Sequence, residues 1–212
     1  MKGFIILGLS VSSVLSAQTD STQIKEIQEV SFTRRLPVSK EIINVQKDLG
    51  SKNLGQDLPI LLKNQMSVVA TSDAGNGVGY TGFRIRGSAG TSINVMLNGV
   101  PYNDSESQGT FFVNIPDMAS SASQIVIQRG VGTSSNGTAS FGASVNILTK
   151  NPDEKPYVLG QFSAGSFNTM KTSFEAGSGK FLNNLLSVSA RYSTINSDGY
   201  IDRAFSKLNS YN

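Results

Sequence analysis

One alternating stretch of the chain carries two candidate ion-pairing groups. Phe83, Arg84, Ile85 and Arg86 alternate apolar and charged residues, and Gly87 follows directly. In an extended strand this spacing puts both guanidinium groups on one face. Arginine is rarely buried without a partner, and its planar fork suits carboxylates and other oxyanions. The stretch therefore predicts a strand whose polar face meets anionic groups, either of the protein itself or of a ligand.

Composition excludes most catalytic chemistry. The 212-residue chain contains no Cys, no His and no Trp, so disulfides, thiolate nucleophiles, Cys/His metal sites and imidazole catalysis are excluded. Asp104, Glu106 and Asp117 could suggest a carboxylate pair or a cation site, but nothing in the sequence fixes their separation. The formal net charge of +3 is too small for a broad phosphate-binding face. We expect no enzyme, no cofactor, no metal site and no nucleic-acid partner.

A glycine-rich run matches a nucleotide-binding motif by letters. Gly77, Gly79 and Gly82 give the pattern G-x-G-x-x-G. That fingerprint needs a helix opening at the third glycine, where the helix N-terminus holds a pyrophosphate. Here Gly82 leads into the predicted strand, which favours a glycine-rich loop. A nucleotide-dependent enzyme is a remote alternative.

The N-terminus has the order of a secretory signal peptide. Lys2 supplies a positive charge, Phe4 to Leu15 form an apolar stretch, and Ser16-Ala17 provide a small-residue cleavage site. The apolar stretch is too short to span a bilayer comfortably. We therefore expect residues 1–17 to be removed on export.

The exported chain then divides by pattern. A polar segment, 18–46, contains one β-prone island, Ile27 to Thr33. Residues 47–150 read as a small mixed α+β domain, with a helix at Leu58 to Lys63, Asp57 as its N-cap and a helical turn near Pro116-Asp117. The strands predicted in this domain are Phe83–Arg86, Ile93–Leu97, Gln124–Gln128 and Ser144–Leu148.

Beyond Tyr157 the pattern changes to long two-faced strands. Phe162, Phe174 and Val188 each belong to a run in which apolar residues alternate with polar ones. Three such runs, followed by the possible start of another, are typical of a transmembrane β-barrel with lipid outside and a polar lumen. A soluble β-sandwich shows the same alternation and stays open as an alternative.

Five short motifs occur in the order in which one receptor family carries them. They are Ile85-Arg86-Gly87, Asn98-Gly99, Ile127–Gly130, Phe141-Gly142 and the strand Val145–Leu148. Together they resemble the plug domain of TonB-dependent outer-membrane receptors. The resemblance covers about residues 24–150, and the strands after Tyr157 resemble the first barrel strands more loosely.

This resemblance implies a fold and a domain order. The fold class is an α+β plug domain followed by the start of an antiparallel transmembrane β-barrel, which the family completes with more strands than this sequence contains. The expected divisions are a signal peptide (1–17), a periplasmic tail with the TonB box (18–46), a plug domain (47–150) and the first barrel strands (151–212).

The resemblance also implies partners and a location. The energy-transducing protein TonB would bind the TonB box on the periplasmic side, and outer-membrane lipid would surround the barrel. The β-prone island falls where the family carries this box, so the box residues are Ile27, Gln28, Glu29, Val30, Ser31, Phe32 and Thr33. An exposed strand of this kind pairs with a partner sheet through its backbone.

Site residues follow from the same resemblance. Arg84 and Arg129 would pair the plug with the inner wall of the barrel. A small-molecule ligand would bind near the plug apex, through Arg86, Tyr102, Asn103 and Gln108.

The ligand class is narrowed only slightly. The family's ligands include ferric siderophores, haem, cobalamin and glycans, and the box lies soon after the signal, without the extra N-terminal domain common among glycan importers. We therefore expect a ferric siderophore or a similar chelate or cofactor. The alternative is an exported soluble β-rich binding protein or adhesin.

Overall fold

The structure, a computed structural model, describes residues 39–132, 140–151, 153–183 and 185–212. The predicted signal peptide and the predicted TonB box lie outside these residues. In chain order the strands are β1 (Ser39–Asn44), β2 (Val68–Ser72), β3 (Thr81–Ile85), β4 (Ile93–Leu97), β5 (Val100–Pro101), β6 (Ala122–Arg129), β7 (Ala143–Thr149), β8 (Tyr157–Gly165), β9 (Thr169–Phe181), β10 (Leu186–Ser197) and β11 (Ser206–Tyr211).

The helical elements among the described residues are short. They comprise two α-helices, α1 (Leu58–Leu61) and α2 (Met118–Ser121), and one π-helical turn, Val45–Leu49. Three short 3₁₀ helices are Gly50–Lys52, Gly90–Ser92 and Phe112–Asn114. None of the described helices is long and apolar enough to cross a membrane.

A five-stranded sheet holds the main core. Its order is β1-β6-β7-β4-β5, with β4 and β7 parallel and the other neighbours antiparallel. The main buried apolar residues of β6 and β7 lie two positions apart and so share the inward face of the sheet, whereas β4 is buried on both faces. Fully buried isoleucine and valine side chains that these three strands contribute to the core are Ile93, Ile125, Ile127, Val145 and Ile147.

A two-stranded hairpin, β2 and β3, covers this core. The Phe83 ring of β3 packs on Phe112 with ring centroids 5.3 Å apart. The strand predicted to end at Arg86 ends at Ile85, because Arg86 (φ 52°) and Gly87 (φ 79°) both adopt the left-handed conformation and turn the chain. Gly82 lies inside β3, which confirms that the glycine-rich run opens no helix.

Most of the helices and strands predicted for residues 47–150 are present. The predicted strand Ile93–Leu97 is β4, and Asn98-Gly99 forms the tight turn into β5, with φ values of 51° and 84° that suit a hairpin turn. The predicted helix at Leu58 is shorter than expected, ending at Leu61. The strand β1 was not predicted, because its residues Ser39–Asn44 are mostly polar and lie in the segment read as a tail.

The last four strands form a separate antiparallel meander. Their order is β11-β10-β9-β8, with each strand paired to its neighbour along the chain. The apolar face points outward: Phe162 is 68% exposed and Val188 61% exposed. The polar face is buried, with Lys171 and Ser193 each 0% exposed. The polarity of these strands is thus the reverse of that in a soluble sandwich, as the alternating pattern predicted for barrel strands.

Candidate functional site

Three charged side chains meet where the buried face of the meander contacts the described residues that precede it (39–132 and 140–151), which we call the five-stranded unit after their main sheet. Asp117 lies in the turn before α2, in the left-handed conformation (φ 53°), and is 1% exposed. Its Oδ1 accepts from Lys171 Nζ of β9 at 2.6 Å, and its Oδ2 accepts from Arg191 Nη1 of β10 at 2.6 Å. One carboxylate therefore bridges two adjacent strands of the meander.

Among the described residues, the hydrogen-bond acceptors of Lys171 all lie outside the meander. Its ammonium group contacts Asp117 Oδ1, Ser120 Oγ at 2.8 Å and Asn53 Oδ1 at 3.4 Å. A lysine ammonium has three donors, and each of these contacts can take one. The charge of this fully buried side chain is therefore balanced and hydrogen-bonded by the five-stranded unit alone.

Arg191 is held from both sides. Its Nε donates to Ser121 Oγ at 3.0 Å, while Nη1 and Nη2 donate to Ser193 Oγ at 3.0 Å and Ser210 Oγ at 3.2 Å. Ser193 and Ser210 belong to β10 and β11, so the meander itself orients the guanidinium. We call Asp117, Lys171 and Arg191 the charge cluster.

A second buried carboxylate lies before the other helix. Asp57 is 2% exposed, its Oδ2 accepts from Thr81 Oγ1 at 2.9 Å, and its backbone N–H donates to Gly77 O at 2.9 Å. None of the ion pairs among the described residues includes Asp57. Burial raises the pKa of this carboxyl from 3.8 to about 7, and hydrogen bonds from the Thr81 hydroxyl and the Gly79 backbone reduce the shift.

The residues predicted to bind ligand lie on exposed or half-buried loops. Arg86 and Gln108 are exposed and both adopt positive φ, at 52° and 56°, while Tyr102 is half-buried. Backbone strain of this kind clusters at binding sites. Among the described residues no hydrogen bond joins Arg86 to the loop that carries Tyr102 and Gln108, and a ligand site shared by Arg86 and this loop stays a prediction.

Asn103 is already committed to the backbone. Its Oδ1 accepts from the Val95 N–H at 2.7 Å, and its Nδ2 donates to Ile93 O at 2.9 Å and to Gln108 O at 2.7 Å. These bonds fix the loop against β4. The neighbouring Asp104 closes a tight turn, where hydrogen bonds from the Ser107 backbone and hydroxyl lower the pKa of its carboxyl.

The two arginines predicted to pair with a barrel wall differ in surroundings. Arg129 forms an ion pair with Glu41 of β1 and donates from Nε to Met66 O at 3.0 Å, so its partners lie in the five-stranded unit. Arg84 is exposed and makes no ion pair with another described residue. It borders a cavity of about 250 Å³ lined by Thr71, Gly82, Phe83, Gly90, Val95, Thr110 and Phe112. The wall-pairing role of both arginines stays a prediction.

Sequence reasoning missed the two cations of the charge cluster. Lys171 and Arg191 occupy polar positions of alternating strands, which by themselves indicate only the side facing away from lipid. The available signal was their charge, since a lumen-facing cation needs an anionic partner. Nothing local identified Asp117 as that partner. Across the described residues, no group of three or more acidic side chains is placed to hold a metal ion.

Comparison with known proteins gives one family and several structural relatives. The family profile described as the TonB-dependent Receptor Plug Domain matches residues 33–144. No curated protein sequence matches the chain.

Three solved receptors illustrate the structural match. The FpvAI–pyocin S2 complex matches with a TM-score of 0.64 at 14% identity, over 82% of this chain and 23% of that chain. The alcaligin receptor FauA of Bordetella pertussis gives 0.63 at 15% identity, over 84% and 29%. The pyoverdine receptor FpvA of Pseudomonas aeruginosa gives 0.61 at 15% identity, over 82% and 24%. The chain thus spans about a quarter of the length of these receptors.

Proposed function

The chain belongs to the TonB-dependent receptor plug domain family, and on that premise we propose that it takes part in ligand import across the outer membrane. The five-stranded unit is the plug, and the meander is the beginning of a β-barrel around it. In this proposal the barrel strands lie in the outer membrane and the polar tail before β1 faces the periplasm. The role is transport, without catalysis.

The observation that carries this proposal is the reversed polarity of the meander. Its outward face exposes Phe162, Phe174 and Val188, whereas its inward face buries Lys171 and Arg191 against the plug. An outward apolar face of alternating strands fits lipid, and an inward charged face fits a lumen filled by another domain. The same observation argues against the alternative of an exported soluble binding protein, whose strands would bury their apolar face.

We propose that TonB energises import through the box Ile27–Thr33. The strand β1 follows this segment closely and lies at the edge of the plug sheet, paired only with β6. A force applied to the box would therefore reach an edge strand first, where six residue pairs of β1 and β6 resist it along with the Glu41–Arg129 ion pair. TonB would recognise the box by strand pairing.

For the ligand we propose a ferric siderophore or a similar chelate. Arg86 and Gln108 are exposed at loop positions, and Tyr102 offers an aromatic ring in the same loop as Gln108. A guanidinium group and an aromatic ring suit an anionic ligand with apolar parts. Asn103 would act by holding this loop, since its side chain already makes three hydrogen bonds to the backbone.

The test of the import proposal uses the box, in the natural gene product that contains these residues. Val30→Pro removes one backbone donor and fixes φ, so strand pairing with TonB should fail. The probes are ⁵⁵Fe-loaded hydroxamate, catecholate and carboxylate siderophores. We expect at least one to be taken up by cells that carry the wild type, with uptake lost in Val30→Pro and surface binding retained.

Val30→Ala is the matched control, because it alters the same side chain and keeps the backbone N–H. Its uptake should equal that of the wild type. Wild-type uptake by Val30→Pro would show that the box assignment is wrong. Absence of receptor-dependent uptake for all three probes would remove the siderophore proposal.

A further inference from the structure

We propose that Lys171 and Arg191 form an anion-binding site on the inner barrel wall, which Asp117 occupies while the plug is seated. When the Asp117 turn withdraws, a carboxylate or a similarly compact oxyanion takes its place. The functional meaning rests on the proposed import role, since import is what would withdraw the plug and bring anionic groups of a ligand past the wall.

Arg191 makes this site pre-organised. Ser193 and Ser210, both on barrel strands, accept from Nη1 and Nη2 and hold the guanidinium whether or not the plug is present. The contacts to the plug are those of Nε with Ser121 and of Nη1 with Asp117. Withdrawal of the plug frees these donors in a fixed orientation, and a fixed guanidinium fork binds carboxylates well.

Lys171 makes the site depend on its occupant. Every acceptor of its ammonium group in the described part of the chain belongs to the plug, namely Asn53, Asp117 and Ser120. A buried cation without acceptors is strongly unfavourable, so loss of the plug contacts favours the binding of a new anion to Lys171. The new anion would bind at the position of the Asp117 carboxylate, because both cations contact this one group.

The charge balance points to an anion and not to a neutral ligand. The cluster contains two cations and one carboxylate, so withdrawal of Asp117 raises its net charge from +1 to +2. The acid on the same two strands, Glu175, lies opposite Arg191 in the β9–β10 register, and its carboxylate contacts Lys150 at 3.1 Å and the Tyr157 hydroxyl at 2.7 Å. No described ion pair offers a substitute for Asp117 within the barrel strands.

Chemical rescue tests the site without any knowledge of the natural ligand. Asp117→Gly in the natural gene product removes the carboxylate and suits the positive φ of this position. The measurement is the urea midpoint of plug unfolding in detergent micelles, followed by pulse proteolysis. We expect Asp117→Gly to lower this midpoint and 100 mM acetate at constant ionic strength to restore at least half of the loss.

Acetamide is the first control, since it has the shape of acetate without the charge, and it should restore nothing. Asp117→Gly combined with Lys171→Met and Arg191→Met should gain nothing from acetate. Asp57→Ala is the matched protein control, because it removes a buried plug carboxylate that has no ion-pair partner among the described residues. Acetate should not stabilise it.

Equal effects of acetate and acetamide would overturn the proposal, as would acetate rescue that persists without the two cations or no rescue at all. If Asp117→Gly fails to fold, Asp117→Ser leaves room for the probe and is read in the same way. The rescue needs neither TonB nor an imported ligand. The result of the uptake experiment with Val30→Pro therefore does not affect the result of the rescue experiment. Either proposal can be overturned while the other stands.

Discussion

Two buried carboxylates of the plug show two ways of keeping an acid out of water. Asp57 and Asp117 each immediately precede a four-residue helix, are 2% and 1% exposed, and make no side-chain cap to the helix backbone. Asp117 contacts two cations of the barrel wall, whereas the hydrogen-bond partners of Asp57 are neutral, namely the Thr81 hydroxyl and the Gly79 backbone. The local sequence around them gives similar structures, and their surroundings give different electrostatics.

Because of this difference, we expect the stability around each acid to depend on a different condition. Asp57 avoids a buried charge by binding a proton, which is why its pKa rises to about 7. Asp117 instead pairs with two cations, which lie 54 and 74 positions further along the chain. The region around Asp57 should therefore respond to pH, and the region around Asp117 to the integrity of the barrel wall.

The largest effect should come from Asp117→Asn. Removing this charge leaves two buried cations without an anion, and breaking a buried pair in this way costs about 3–5 kcal/mol of unfolding free energy. Urea titration of the gene product in detergent micelles would measure it. Asp57→Asn at pH 8 is the comparison and should cause no loss, because it replaces a disfavoured charge. Equal losses in the two variants would contradict the distinction between the two acids.

A double-mutant cycle should give the next largest effect. Asp117→Asn and Lys171→Met remove the two sides of one contact, so their losses should deviate from additivity by about 2 kcal/mol. The same cycle with Asp57→Asn and Lys171→Met should be additive within about 0.5 kcal/mol. The measurement is the unfolding free energy of the six proteins in the two cycles. Coupling of Asp57 to Lys171 would contradict the distinction, because it would show that the barrel wall interacts with both acids.

The pH dependence of stability should separate the acids further. The carboxyl of Asp57 has a pKa near 3.8 when unfolded and about 7 when folded, so the folded chain binds more protons between these values. Its contribution is complete below pH 3.8 and is lost as pH rises through about 7, with a slope of up to about 1.4 kcal/mol per pH unit. Urea midpoints from pH 4 to 8 would measure this fall.

Asp57→Asn is the control for this pH series and should flatten it. Asp117→Asn should keep the slope, because Asp57 is unchanged. A slope that survives Asp57→Asn would assign the titration to another group.

The smallest effect should come from Thr81→Val. The Thr81 hydroxyl donates to Asp57 Oδ2, and loss of such a bond costs about 1 kcal/mol when the acceptor is neutral. The loss should be larger at pH 8, where Asp57 is ionised, than at pH 5, where it is protonated. Ser120→Ala removes a hydroxyl that donates to Asp117 Oδ1 at 2.6 Å and leaves Asp57 and its partners unchanged. It is the comparison and should not show the extra loss at pH 8 that Asp57 causes.

Much of the fold followed from local pattern, whereas the charge cluster did not. The strands β4, β6 and β7 and the two-faced meander were predicted because residue alternation is a property of neighbouring positions. The contact of Asp117 with Lys171 and Arg191 depends on how the meander packs against the plug, which no local pattern encodes. For the same reason sequence reasoning offered Asn103 to a ligand, although β4 and the loop already occupy its side chain.

The wall lysine whose acceptors all come from the plug also bears on the order of assembly. Contacts that span 54 and 74 residues form late, because closing such loops is entropically unfavourable before their contacts are made. Strands β9 and β10 can pair with each other early, but their cations have no burial partner until the Asp117 turn arrives. We expect the plug to be in place before this part of the wall reaches its final packing. In a barrel without its plug, the Lys171 ammonium group would lack these hydrogen-bond acceptors.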